Sequence, residues 1–305
     1  MDLTKKKETL LQNITYMALM AAINVIFVLL TTFVPVLFFL IVFVLPLTST
    51  IVTLHCKKRY FPIYAIATIG LCMIVTIWKI DDTIFYVIPS IISGFMFGFL
   101  IEKKVPSFWI LLVATTLQVI FTYVSIPIIQ AIFGRSIIEV FATAFGLAEF
   151  PYLSYLVPCF IFFISLSQEI ITYMIIREEL PKLGYELNEN KNVELSLFIL
   201  STSFVALAVI FSFIYGPLAF MFTLYALFIG VYIIINLILN KNIFVYIALP
   251  VSLLLSIFLF AGLYQLFDKP LGLILFNILF FTLGIIVFIN NYLSKRLKKD
   301  TISKV

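Results

Sequence analysis

Long apolar runs along the chain are broken by short interruptions of charged residues, proline or glycine. A helix needs about 20 apolar residues to cross the hydrocarbon core of a bilayer. Ten runs approach or reach that length: 14–34, 36–54, 60–78, 83–101, 107–127, 152–176, 196–215, 218–239, 243–264 and 271–292. The pattern predicts an all-α fold, a polytopic transmembrane bundle of about ten helices. The first run is too long for the apolar region of a cleaved signal peptide and reads as a retained helix.

Two segments depart from the apolar rule. Residues 177–194 form the longest polar stretch and separate six runs from four, which predicts a six-helix domain over 1–180, a polar cytoplasmic linker over 181–195 and a four-helix region over 196–305. Residues 128–151 mix Arg135, Glu139 and Glu149 with apolar positions, as expected of an interfacial or re-entrant helix capping the outer face.

Composition agrees with lipid as the main solvent. Of 305 residues, 63% are hydrophobic and 11% charged, against roughly a quarter charged in soluble domains. The net charge of +5 would suit a nucleic-acid binder, but the basic residues sit between apolar runs with no basic and aromatic stripe. Their placement is topological. With the N-terminus inside, only Lys79, Arg135 and Lys269 fall outside, so both termini are expected in the cytoplasm.

Little points to soluble-type chemistry. No P-loop, HExxH or GxSxG motif is present, and Cys56, Cys72 and Cys159 are too far apart for a metal or disulfide framework. The single histidine, His55, reads as a solvated interfacial residue rather than half of a metal pair with Cys56. The sequence predicts no enzyme, cofactor or metal site.

Polar residues inside the runs carry the functional question. Glu169, with Gln168, Ser165, Ser167 and Thr172 around it, is the one deeply placed carboxyl, and a carboxylate there needs a partner, a cavity or a proton. It is either a ligand or proton site or a hydrogen-bonded structural group. Gln118, Tyr123 and Asn24 read first as interhelical hydrogen-bonding groups. Ser90, Gly94 and Gly98 form a small-residue face for close helix approach. Asp81 and Asp82 are expected to cap the fourth run, and with Glu139, Glu149 and Asp268 they form either a cation- or polyol-attracting mouth or ordinary solvated loops.

The run Tyr16-Met17-Ala18-Leu19-Met20-Ala21-Ala22-Ile23 places Ala18 and Ala22 one turn apart. It resembles the AxxxA pattern in the first helix of the substrate-binding S components of energy-coupling-factor transporters. With Pro35, FVLPLT around Pro46, the basic loop His55 to Arg59 and IPSIISGFMFGFLIEKK, the first 180 residues resemble the YybS-like bacterial membrane proteins, an S-component-like half followed by extra helices.

The resemblance implies capture of a small nutrient at the cell membrane, energised by separate ATPase and coupling subunits. It implies docking of a coupling subunit on Ala18 and Ala22, and solute contacts from Asp81, Tyr86, Gln118, Tyr123, Glu149 and Tyr152. Two other readings stand beside it. One is a non-transporting scaffold or assembly factor of the envelope or cell-shape machinery; the other is a proton-coupled carrier using Glu169.

Overall fold

The computed structural model describes residues 6–34, 38–134, 136–144, 146, 153–183, 185, 194–239, 243–264 and 278–302. Among them there is no β-strand. Eleven helices carry the argument: α1 (Leu10–Phe33), α2 (Phe38–His55), α3 (Phe61–Val75), α4 (Ile88–Glu102), α5 (Ser107–Phe133) and α6 (Ile137–Ala144), then α7 (Leu153–Glu179), α8 (Glu194–Ser212), α9 (Gly216–Leu239), α10 (Ile243–Tyr264) and α11 (Ile278–Ile302). Eight described helices are long and apolar enough to cross a membrane, and shorter apolar helices cover Phe43–His55 and Ile278–Tyr292. The chain is a multi-pass integral membrane protein.

Local chemistry sets several boundaries. At the start of α1 the Thr9 hydroxyl accepts from the Gln12 amide at 3.3 Å while the Gln12 side chain accepts from the Thr9 amide at 3.3 Å, a reciprocal cap. α5 passes through Pro127, where the expected run ended, and stops only at Gly134, whose φ of 65° ends the helix in the left-handed conformation. Residues 128–133 of the expected capping segment therefore continue α5. α6 is a separate short helix, and residues 147–151 lie outside the described residues.

Asp81 and Asp82 do not cap a helix start. They lie inside the helical turn Ile80–Asp82, which leads through a widened turn, Thr83–Val87, into α4. Pro89 follows that turn and has no N–H to donate four residues back, so the local widening accompanies an unavoidable break in the ladder.

The chain divides into two compact units. Unit 1 comprises Met1–Leu153 and Phe160–Asn190; unit 2 comprises Ser154–Cys159 and Lys191–Val305.

In unit 1, α2 and α4 approach closely along Gly94 and Gly98. A methyl group on Gly94 would meet the Pro46 carbonyl and lie 2.7 Å from Ser49 Cβ, and one on Gly98 would lie 2.8 Å from Thr53 Cβ. The small-residue face works as the spacing predicts. The Thr50 hydroxyl donates to the Pro46 carbonyl at 2.8 Å and lies 3.0 Å from the Gly94 carbonyl, so the contact is polar as well as close. Asn24 on α1 ties the other side: its amide donates to the Tyr64 hydroxyl at 2.8 Å, and its carbonyl accepts from Thr48 at 2.7 Å.

In unit 2, Gly230 receives the ring of Phe280 and Gly284 that of Phe198. Phe204 stacks on Tyr225 at 5.3 Å, and the Ser201 hydroxyl donates to the Ala226 carbonyl at 3.3 Å.

One end of unit 1 gathers charge. Lys6 and Lys58 both pair with Glu102, the former at 2.8 Å. Asn13 pins the N-terminal segment there, donating to the Lys7 and Thr9 carbonyls and accepting from the Lys57 amide at 2.7 Å. This segment covers His55, which is 2% exposed and packs its ring against Tyr16 at 5.6 Å. The expectation of a solvated histidine is wrong because residues 6–8 fold over it, a tertiary contact without a local signal.

The same end has an alkaline signature. The hydrogen bond to Glu102 raises the Lys6 pKa above its ordinary value, and burial raises that of Tyr185, whose hydroxyl donates to the Leu54 carbonyl at 3.1 Å. Raised folded-state values mean stabilisation complete below the ordinary pKa values near 10 and lost as pH rises through the shifted ones. For the half-exposed Lys6 pair this is only about a few tenths of a kcal/mol. Thermal unfolding in detergent is expected to change little from pH 7 to 9 and to fall from pH 10 to 11.5. Glu102→Gln should flatten the Lys6 share of that fall.

Candidate functional site

A second group of buried polar residues in unit 1 meets where α4, α5 and α7 come together. The Gln118 amide on α5 donates to the Gln168 carbonyl on α7 at 3.2 Å, and the Gln168 amide donates to the Ser90 hydroxyl on α4 at 2.8 Å. All three side chains are buried. The chain Gln118–Gln168–Ser90 therefore forms one polar layer across three helices.

The course of the helices places the neighbouring residues. Near the Glu102 end, Ile176 and Leu180 of the α7 region pack with Phe97 and Ile101 of α4 and with Ile110 and Ala114 of α5, and Phe97 meets Tyr173 at 6.4 Å between ring centres. Between this apolar layer and the Gln118 layer, each helix contributes one more turn. α4 brings Ser93, α5 brings Thr115, and α7 brings Glu169 and Thr172.

Every one of these is fully buried. Neither Glu169 oxygen is hydrogen bonded, nor are the Thr115 and Thr172 hydroxyls or the Gln118 carbonyl oxygen. The Ser93 hydroxyl lies beside the Glu169 carboxyl as its nearest hydrogen-bonding group, while donating to the Ser90 carbonyl at 3.2 Å. Buried polar groups ordinarily find partners, because each one left unmade costs about 1–3 kcal/mol. Five such oxygens together are a feature of function or of stored cost.

The other sequence-predicted residues fall elsewhere. Asp81 and Tyr86 are half-buried in the turns before α4, and Tyr123 is half-buried on α5, about 7.5 Å along the helix from Gln118. Glu139 is exposed on α6, its amide donating to the Ser136 hydroxyl at 3.3 Å. Glu149, Tyr152 and Asp268 lie outside the described residues. Gln118 is thus joined to Gln168 within the bundle. Ala18 and Ala22 are exposed on α1, on the side opposite Tyr16, Met17, Ala21, Asn24 and Val28, which are buried.

Sequence reasoning missed Thr115 and the partner role of Ser90 and Ser93. Hydroxyl residues in a membrane helix can bond their own backbone four residues back and so carry little signal by themselves. The threonine and glutamine spacing Thr115/Gln118, matched by Gln168/Glu169/Thr172, was the available clue. Among the described residues no group of three or more His, Cys, Asp or Glu side chains could hold a metal ion. No family model, curated protein or solved structure matches the chain.

Proposed function

We propose that this protein is a substrate-binding subunit of the S-component kind in the cell membrane, taking up a small nutrient with separate coupling and ATPase subunits, as its resemblance to YybS-like proteins implies. The observation that supports the reading is the division of α1 into two faces. Its polar and aromatic face is buried in unit 1 through Asn24 and Tyr16, whereas its small face, Ala18 and Ala22, is exposed. Small residues let a partner helix come close without the penalty of burying charge. The basic clusters support a cytoplasmic side for both termini, and Lys6 and Lys58 meeting at Glu102 support a common side for those segments.

Gentle purification followed by native mass spectrometry tests the reading. Retained solute together with a coupling subunit and ATPases is the expected result; stoichiometric envelope proteins in their place would favour the scaffold reading. Replacing both alanines by phenylalanine should reduce the recovered coupling subunit by about tenfold, the equivalent of 1.4 kcal/mol of contact. Because both positions are exposed, thermal unfolding of the isolated chain should stay unchanged. Undiminished recovery of the coupling subunit would remove α1 from the docking face.

A further inference from the structure

We propose that the layer containing Glu169 is a binding site for one monovalent alkali cation. The proposal concerns unit 1 alone and does not depend on the S-component reading. It rests on Glu169, Thr115, Thr172 and the Gln118 carbonyl oxygen, all buried and none hydrogen bonded, which the register of α5 and α7 set by Gln118 and Gln168 brings to neighbouring levels.

The position of this layer is bracketed from both sides. Toward one side lies the hydrogen-bonded set Gln118, Gln168 and Ser90; toward the Glu102 end lies the apolar packing of Phe97, Ile110, Ile176 and Leu180. α5 runs antiparallel to α7, so stepping one turn back from Gln118 to Thr115 and one turn on from Gln168 to Thr172 moves in the same direction. The oxygens from the two helices therefore share a level with Ser93 from α4. Gln168 has its carbonyl and amide engaged by neighbours and holds the upper layer in place.

Charge balance decides what such a layer takes. An ionised carboxylate buried in an apolar bundle costs several kcal/mol unless a positive partner compensates it. α4 and α5 contain no basic residue, and the one on α7, Arg177, is exposed and about 12 Å along the helix from Glu169. Protonation removes the charge but leaves the two threonine hydroxyls and the Gln118 carbonyl oxygen without partners.

A cation answers both needs. Its charge neutralises Glu169, and it draws on several oxygens at once. The donors are all hard oxygens, which suit alkali and alkaline-earth ions rather than soft transition metals. One formal negative charge matches a +1 ion, whereas calcium sites use several carboxylates and magnesium retains water in octahedral geometry.

The experiment is thermal unfolding of the full-length protein in detergent, in sodium, potassium, lithium and choline chloride at one ionic strength and one pH. The expected result is a saturable rise of the midpoint in at least one alkali salt over choline, together with about one bound alkali ion per chain by elemental analysis after desalting. Glu169→Gln should abolish the rise. Thr115→Val, which preserves side-chain shape, should raise the half-saturating concentration by about tenfold, and it reads out the site even where Glu169→Gln does not fold. Equal midpoints in all four salts would overturn the proposal, as would a midpoint that responds to pH but not to the identity of the cation. Loss of coupling-subunit recovery in the docking experiment would leave this result untouched, so the two readings fail separately.

Discussion

Gly94→Leu is expected to destabilise the protein by about 3 kcal/mol or more, at or beyond the upper end of the range for overpacked cores. The reason is positional. Even the first carbon of a side chain at Gly94 would meet the Pro46 carbonyl and approach Ser49 Cβ to 2.7 Å and Pro46 Cα to 2.9 Å. Two of those atoms are helix backbone and cannot rotate away, so α2 and α4 would have to separate along their contact. That separation would also break the hydrogen bond between the Thr50 hydroxyl and the Gly94 carbonyl. Gly70→Ala is the control: nothing lies within 4 Å of a methyl group there, and its effect should stay within about 0.5 kcal/mol. Reversible unfolding in mixed micelles measures both. Equal effects of the two substitutions would show that α2 and α4 do not meet along this face.

Asn24→Leu ranks next, with an expected cost of about 2–3 kcal/mol. Interhelical hydrogen bonds inside membranes average about 0.6 kcal/mol and reach about 1.7, and this substitution removes two of them. It also strands groups on two other helices. The Tyr64 hydroxyl loses its shortest partner and keeps longer contacts to Ser49 at 3.3 Å and Thr48 at 3.5 Å, while Thr48 falls back on the Leu45 carbonyl at 2.9 Å. Tyr64→Phe removes one end of the network and should cost about 1 kcal/mol. The double variant should cost less than the two single effects combined, because both delete the same bond. Strict additivity would mean that Asn24 and Tyr64 do not interact.

The long helices were legible because each needs only a run of apolar residues, a property of consecutive positions. All ten expected runs overlap described helices, and the main boundary shifts have local causes. α5 outlasts Pro127 because a proline inside a membrane helix is tolerated when neighbours satisfy the released carbonyl, and Gly134 supplies the left-handed stop. The Gly94 and Gly98 contact was also readable, since small residues four apart must share a helix face.

What was not legible lay beyond each residue's own local preference. Asp81 and Asp82 have the composition of a helix cap, yet the preceding turn keeps the backbone helical through them. His55 has polar chemistry and a basic neighbourhood, yet the chain near Lys7, nearly fifty residues earlier, covers it. A cap preference is worth only about 1 kcal/mol, which the adjoining turn overrides at Asp81 and Asp82, whereas at His55 a tertiary contact decides.

By itself, the sequence determined that this protein lives in lipid, that it crosses the membrane many times as helices, and that Glu169 sits where a carboxyl is costly. These follow from hydrophobicity summed over neighbouring residues, which no later contact can reverse. Only the tertiary structure decided which polar groups stand around Glu169. Gln118 and Gln168 are fifty residues apart, and Ser90 is seventy-eight from Gln168. Their shared layer depends on the register of α4, α5 and α7, set by side-chain packing such as Phe97 on Tyr173 and Ile176 among Ile101 and Ile110, and one turn of slippage would give Glu169 different neighbours.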